Sequence, residues 1–374
     1  MAGRRHRLYG RLGSVEQRAD SAVRRLRARA GLTGEPIVLA YRGYGSPDRV
    51  RLTGRVLERR RSRVADAADP WWHNAVAVLR RVASRELPDV PVTLTLAGRE
   101  TTVLTDADGY WSAEVVGASL APGWHRAGVT LGPGEADAAV SEVLVLPPDA
   151  SIALVSDIDD TVIHSGITNL LTAARTLLFR NAATRTPWAG VSELYRSLVV
   201  GLAAADPISQ PAPVFYLSTS PWNLYDLLVD FLDRTGLPQG PLLLMDWGLS
   251  ARGLLRGEKN HHKRERLDEL VRDFADLRLL LVGDSGERDA EVFRDFARAH
   301  PGRVVGIVIR NVTPVIDPHA RGIQDALVDL DTLGVPSTLC QDATSAAVFA
   351  REHGWLDEAA VSAVRRAQEA DLRR

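Results

Sequence analysis

The chain has 374 residues, of which 45% are hydrophobic and 25% charged, as in globular proteins that contain more than one core. The net charge of −1 gives no case for nucleic-acid binding, and no apolar run reaches the roughly 18 residues needed to cross a membrane. The single cysteine, Cys340, excludes an internal disulfide framework and favours a reducing compartment, so we expect a cytoplasmic protein.

The sequence of the first 150 residues indicates two segments, neither of which contains a recognisable catalytic motif. Residues 1–35 are arginine-rich, with apolar residues such as Ala19 and Val23 at helical spacing. We interpret them as a basic helix that either packs on the body or touches an anionic membrane peripherally. Residues 36–148 contain short strand-like runs, including a hairpin around Gly98, and predict a small β-sandwich-like accessory domain.

Strands and helices alternate over residues 149–336, which predicts an α/β domain with a parallel sheet. The first strand, 152–156, precedes a long excursion over 164–212 that we interpret as a small helical cap insertion. The later predicted strands are Val214–Ser218, Leu242–Met245, Leu277–Val282 and Val304–Ile309. Residues 337–374 are predicted to form C-terminal helices.

An acidic cluster follows the first of these strands. Asp157, Asp159 and Asp160 place three carboxylates within four residues, a chemistry that suits a hard divalent cation. At a strand end, Asp157 can attack a phosphoryl group and form an aspartyl-phosphate. Asp159 points to the same side of an extended chain, so it can protonate the leaving oxygen and then activate water. A calcium loop is disfavoured, because Val162 and Thr168 replace its glycine and glutamate.

A second polar segment follows the predicted strand Val214–Ser218. Ser218 and Thr219 lie there with free backbone amides near the start of a helix, an arrangement that can cradle a phosphate. Helix capping by Ser220, with Pro221 at the first helical position, is the structural alternative.

Lysine is rare in this chain. Arginine supplies every cationic side chain except Lys259 and Lys263. Lys263 lies inside a helical pattern and is the candidate for neutralising charge between the nucleophile and the phosphoryl oxygens. We interpret Lys259 as a solvated loop residue.

The last polar strand end reads Gly-Asp-Ser-Gly-Glu-Arg-Asp over residues 283–289. It places Asp284 at the strand end and Asp289 one turn into the next helix. Mg²⁺ prefers one or two carboxylates plus phosphate and water, so Asp157, Asp284 and the backbone carbonyl of Asp159 suit it.

These four elements, in this order, resemble the haloacid dehalogenase-like hydrolase superfamily. The resemblance implies a Rossmann-like sheet, bound Mg²⁺ and an aspartyl-phosphate intermediate. It implies that Asp157 is the nucleophile and Asp159 the general acid and base. The implied phosphate-binding residues are Ser218, Thr219 and Lys263, and the implied metal-binding residues are Asp157, Asp159, Asp284 and Asp289.

A closer resemblance covers residues 151–335. The strings Ser156–Thr161, Tyr216–Tyr225 and Leu279–Asp289 resemble the catalytic domain of actin-patch-type phosphatidate phosphatases. The resemblance implies a Mg²⁺-dependent phosphatase that converts phosphatidate to diacylglycerol. Two alternatives remain open, a phosphatase of a soluble phosphate monoester and a catalytically vestigial module that binds lipid or protein.

Overall fold

The computed structural model describes residues 36–58, 86–132, 139–158, 188–205, 211–245, 256–312 and 320–373. Three predictions lie outside these ranges: the basic helix in 1–35, the candidate acid Asp159, and residues 164–187 and 206–210 of the expected cap. None of the helices within the described ranges combines the length and hydropathy needed to cross a membrane.

The residues described between 36 and 145 form one eight-stranded sheet, here called the β unit. The strand-rich character predicted for this part of the chain is confirmed, whereas the β-sandwich-like domain and its bounds stay a prediction. The strands are β1 (Pro36–Ala40), β2 (Gly43–Ser46), β3 (Arg49–Glu58), β4 (Pro91–Leu96), β5 (Arg99–Leu104), β6 (Tyr110–Val116), β7 (Gly123–Thr130) and β8 (Ala139–Val145). Their order is β1-β3-β2-β8-β7-β4-β5, with β6 on the other edge of β3. All pairs are antiparallel except β2 with β8. A buried apolar cluster that includes Val50, Leu52, Trp111 and Val129 fills its centre.

The hairpin predicted around Gly98 is confirmed, because β4 and β5 pair in register from Pro91 opposite Leu104 to Leu96 opposite Arg99. Strand β7 was not predicted. Its sequence, Gly-Trp-His-Arg-Ala-Gly-Val-Thr, mixes glycine and polar residues and lacks a clean two-residue alternation.

The second unit, here called the α/β unit, is a six-stranded parallel sheet with helices on both faces. Its strands are β9 (Ile152–Asp157), β10 (Val214–Pro221), β11 (Leu242–Met245), β12 (Arg278–Asp284), β13 (Val304–Arg310) and β14 (Ser337–Cys340). Its helices are α1 (Val191–Ala205), α2 (Tyr225–Thr235), α3 (Arg256–Asp273), α4 (Asp289–Ala299), α5 (Ala320–Thr332), α6 (Ala343–Glu352) and α7 (Glu358–Leu372). The strand order is β11-β10-β9-β12-β13-β14, which is compatible with a Rossmann-like arrangement.

The central strand β9 separates two apolar cores. Ile152 and Leu154 face the cluster that includes residues of α1, α2, α6 and α7. Ala153 and Val155 face the opposite cluster, which includes residues of α3, α4 and α5. This alternation buries both faces of β9 and leaves its carboxyl end as the place where polar residues emerge.

Two segments differ from the prediction. Residues 191–205, assigned to the cap insertion, form helix α1, whose residues Leu194, Leu198 and Leu202 are buried in the core of the sheet unit. Helices were expected from residue 337 onward, but Ser337–Cys340 forms the sixth strand and pairs with β13. A four-residue strand is too short to show a periodicity in the sequence.

Candidate active site

The acidic residues of two predicted strand ends lie side by side. Strands β9 and β12 are parallel neighbours, with Val282 opposite Ser156. Asp157 is the last residue of β9 and Asp284 the last of β12, and both are completely buried. The ends of these two strands therefore bring two carboxylates to one edge of the sheet.

Lys263 joins this acidic cluster from helix α3. Its side chain is almost fully buried, and its Nζ lies 2.9 Å from Asp157 Oδ1 and 2.5 Å from Asp289 Oδ1. Glu287 Oε2 lies 2.8 Å from the same nitrogen. Burial by itself lowers the pKa of Lys263, but the surrounding carboxylates, Asp157 foremost, hold this pKa well above its ordinary value.

The turn after β12 is held by its own aspartates. Asp284 Oδ1 accepts hydrogen bonds from the backbone amides of Gly286, at 2.6 Å, and Glu287, at 3.1 Å. Asp289 Oδ2 accepts from the amide of Asp284 at 3.1 Å. A Cβ atom on Gly283 would lie 2.7 Å from the Cβ and 2.9 Å from the Cγ of Asp289, so glycine is required for this approach. Burial raises the pKa of Asp289, while Lys263 acts in the opposite direction.

The carboxylates of this turn and of β9 fit a metal ion. Asp157, Asp284 and Asp289 are buried, and each offers an oxygen within 4.8 Å of the others. With Glu287 they present four carboxylates to the single ammonium of Lys263. Buried charge that is not compensated is costly, so a hard divalent cation complements this set of oxygen donors.

The hydroxyls predicted to bind phosphate lie on the other side of β9. Leu217 is paired with Asp157, and the amide of Ile158 donates to the carbonyl of Leu217 at 3.0 Å. Ser218 and Thr219 are buried and follow directly. Ser218 Oγ accepts a hydrogen bond from the amide of Ser220 at 2.9 Å, so this hydroxyl shapes the turn.

Three expectations about the flanks of the site are wrong. Ser220 does not cap a helix, since β10 continues to Pro221 and the short 3₁₀ turn Trp222–Leu224 that follows has no side-chain cap. Lys259 lies in the first turn of α3 rather than in a loop. Asp289 also begins helix α4 instead of lying one turn inside it.

The structure adds residues that the sequence reasoning missed. Glu287 is part of the Gly-Asp-Ser-Gly-Glu-Arg-Asp motif, and this membership was the only signal for its contact with Lys263. Ser156 Oγ donates to the carbonyl of Asp157 at 2.8 Å and lies 2.6 Å from the hydroxyl of Tyr195. Burial raises the pKa of Tyr195, which stays protonated behind the strand end.

The α/β part of the chain is similar in sequence to known proteins. Residues 152–311 match the family described as "Phosphatidate phosphatase APP1, catalytic domain". The resemblance to actin-patch-type phosphatidate phosphatases is confirmed for this segment. The phosphatidate phosphatase APP1 of Saccharomyces cerevisiae is 31% identical over 163 residues, which cover 42% of this chain and 26% of the yeast protein.

A second relative is an uncharacterized protein of Schizosaccharomyces pombe, 30% identical over 175 residues, which cover 46% of this chain and 27% of that protein. The chain thus spans about a quarter of the length of the curated relatives it matches. Among solved structures, a carbohydrate acetylesterase from Xanthomonas citri aligns with a TM-score of 0.32 and 11% identity, over 90% of this chain and 76% of that one.

Proposed function

We propose that this protein is a metal-dependent phosphoric monoester hydrolase that cleaves phosphatidate to diacylglycerol and phosphate. The observation that carries the proposal is the buried cluster of Asp157, Asp284 and Asp289 around Lys263, located within the segment that matches the phosphatidate phosphatase catalytic domain. The polar ends of neighbouring parallel strands further support a Rossmann-like hydrolase of the haloacid dehalogenase type.

In the proposed reaction, an oxygen of Asp157 forms a bond to phosphorus as the bond to the glycerol oxygen breaks. Asp159 gives its proton to that leaving oxygen. A water molecule then attacks the aspartyl-phosphate, Asp159 takes the proton of the water, and phosphate leaves as the Asp157 carboxylate is restored. Atoms and charges balance over the two steps, and the chain returns to its starting state.

The neighbouring side chains have distinct proposed roles. Lys263 is 2.9 Å from Asp157, so its ammonium can orient the nucleophile and neutralise charge on the phosphoryl oxygens. Ser218 and Thr219 would hold the phosphate from the adjacent strand end. Asp157 and Asp284 would hold the cation, with the backbone carbonyl of Asp159 and the carboxylate of Asp289 as further ligands. A bound Mg²⁺ supplies electrostatic stabilisation of the phosphoryl group.

The experiment is a phosphate-release assay on the purified protein with Mg²⁺. The substrates are phosphatidate in mixed micelles, glycerol 3-phosphate and p-nitrophenyl phosphate. We expect phosphatidate to be preferred and Asp157→Asn to abolish turnover, whereas Asp331→Asn, at an exposed position, should leave it intact. Turnover that survives Asp157→Asn would refute the mechanism.

The same panel separates the alternatives. Preference for glycerol 3-phosphate would identify a phosphatase of soluble monoesters. Tight binding to phosphatidate vesicles without hydrolysis of any substrate would identify a vestigial binding module. Vesicles with and without anionic lipid test the proposed peripheral membrane contact, which, like the cytoplasmic location, stays a prediction.

A further inference from the structure

The β unit reaches the α/β unit through a buried arginine, Arg55 of β3. Only 4% of this residue is exposed. Its Nη1 donates to Asn223 Oδ1 at 2.7 Å, immediately beyond strand β10. The rest of the guanidinium is fixed within the β unit, because Nε donates to the carbonyl of Asp108 at 3.0 Å and Nη2 to Glu86 Oε1 at 3.1 Å. The ring of Tyr110 lies 4.3 Å from the guanidinium carbon. Arg55 therefore presents one oriented donor to the α/β unit.

A second contact reaches the same segment. Tyr41 of the β unit stacks on Trp222, with ring centroids 4.3 Å apart and an interplanar angle of 15°. The ring of Tyr225 lies 4.6 Å from that of Tyr41, and the Tyr225 hydroxyl accepts from the amide of Arg42 at 2.7 Å. Residues 222–225 are thus held by side chains and backbone of the β unit.

This segment follows the hydroxyls proposed to bind phosphate. Only Ser220 and Pro221 separate Thr219 from Trp222. The 3₁₀ turn at 222–224 and helix α2 both begin without a side-chain cap. In this uncapped segment, Arg55 bonds to the side chain of Asn223 and Tyr41 stacks on Trp222.

We propose that Arg55 and Tyr41 are positioning residues for the phosphate-binding turn, a name used here for the end of strand β10 together with the start of the 3₁₀ turn (Ser218 to Asn223). The proposal rests on the proposed function, which assigns phosphate binding to Ser218 and Thr219. The β unit then has a defined task in the reaction. It orders a turn in the neighbouring unit so that the hydroxyls and amides of that turn meet the phosphate in one arrangement.

Arg51 provides a matched comparison on the same strand. It also crosses between the units, since its Nη1 lies 3.6 Å from Glu269 and 3.5 Å from Asp273, both on α3. It does not contact the phosphate-binding turn through these ion pairs. Substitution of Arg51 therefore tests the effect of losing a contact between the units. Substitution of Arg55 tests the loss of such a contact together with the position of the turn.

The experiment compares Arg55→Met, Asn223→Ala and Arg51→Met in the full chain. The measurements are kcat, KM for p-nitrophenyl phosphate, and the inhibition constant of inorganic phosphate. For Arg55→Met and Asn223→Ala we expect KM and the inhibition constant of phosphate to rise about tenfold, while kcat stays within about twofold of the wild-type value. The reason is that the turn binds the phosphate group in the ground state as well as in the transition state. Arg51→Met should match the wild type. Asn223→Ala leaves Arg55 bound to its own unit and covers the case in which Arg55→Met fails to fold.

A double variant sharpens the test. If both residues act through their mutual hydrogen bond, Arg55→Met with Asn223→Ala should weaken phosphate inhibition no more than Arg55→Met alone. The inference would be overturned if Arg55→Met and Asn223→Ala had the same phosphate inhibition constant as Arg51→Met. It would also be overturned if the effects of the two substitutions on that constant were fully additive in the double variant. The proposed function would stand in either case. If the wild type hydrolyses no monoester, the proposed function fails. The inference is then tested by the increase in melting temperature that inorganic phosphate produces, compared between the wild type and the same variants. Equal shifts in the wild type and in Asn223→Ala would overturn it.

Discussion

The ammonium of Lys263 and the carboxylate of Asp157 face each other at 2.9 Å with at most 2% of either side chain exposed. This pair links helix α3 to the end of the central strand. Asp284 and Asp289 complete a buried group in which negative charge exceeds positive charge. Because burying this uncompensated negative charge costs free energy, the stability of the metal-free protein should depend on every charged residue of the cluster.

Asp157→Asn should raise the stability of the metal-free protein while it abolishes turnover. The substitution removes one buried negative charge, and Lys263 keeps its contacts with Glu287 and Asp289. We expect an increase of about 1 kcal/mol in the free energy of unfolding, measured by urea denaturation with EDTA present. The stabilisation produced by Mg²⁺ should shrink in the same variant. A variant that is less stable than the wild type in EDTA would contradict this account.

Lys263→Met should have the opposite effect on stability. It leaves Asp157, Asp289 and Glu287 without their shared ammonium. Removing one partner of a buried ion pair lowers the free energy of unfolding by about 3–5 kcal/mol, and we expect a loss of that size here. Added Mg²⁺ should recover part of the loss, since the cation supplies positive charge to the same oxygens. Denaturant unfolding with and without Mg²⁺ measures both effects.

The control for this variant is Lys259→Met, the same chemical change at the other lysine of the chain. The sequence predicts a solvated side chain there, so we expect a change within about 0.5 kcal/mol. Equal losses of stability for the two variants would show that the buried contacts of Lys263 are not what stabilises the fold.

Gly283→Ala should weaken metal binding. The new methyl group would lie 2.7 Å from Cβ and 2.9 Å from Cγ of Asp289, so that carboxylate must move. We expect a loss of about 1–3 kcal/mol in stability and a higher Mg²⁺ concentration at half-maximal activity. The control is Gly322→Ala in α5, where the added methyl group meets only the end of the Glu291 side chain, at 3.1 Å. Identical Mg²⁺ titrations for the two variants would contradict the prediction.

Much of the α/β unit could be predicted because its signals are local. Apolar runs ended by Asp157, Ser218 or Asp284 indicate strands that end at one edge of the sheet, whatever the order of the strands. The match to the phosphatidate phosphatase catalytic domain over 152–311 agrees with this assignment.

The remaining features depend on contacts between distant residues, which no local pattern encodes. Tyr195 contacts Ser156 across 39 positions, and Arg55 contacts Asn223 across 168. In the sequence, α1 has an ordinary apolar periodicity that predicts a helix but not its place on the sheet. Arg55 likewise has the appearance of a solvated strand residue, although it is buried between the two units.

A last prediction concerns His262, next to Lys263 on α3. His262 is 7% exposed, it bonds to the backbone of Leu243, and its Nε2 has no hydrogen-bond partner among the described residues. Burial, followed by the charge of Arg266, lowers its pKa from 6.5 to about 4. Between these values the unfolded chain binds a proton that the folded chain does not. The free energy of unfolding therefore falls as the pH drops from 6.5 to 4, by about 3 kcal/mol in total from this residue.

The variant His262→Asn removes the titration while its amide can replace the ring in the bond to Leu243. Every other titrating group is common to the two proteins, so the difference between their stability profiles isolates His262. Between pH 6.5 and 4, we expect the free energy of unfolding to fall less steeply with decreasing pH in the variant than in the wild type. Above pH 7, the two profiles should be parallel. Urea denaturation at half-unit pH steps gives both profiles. Parallel profiles over the whole range would mean that the imidazole titrates equally in the folded and unfolded states, and that its burial imposes no cost on protonation.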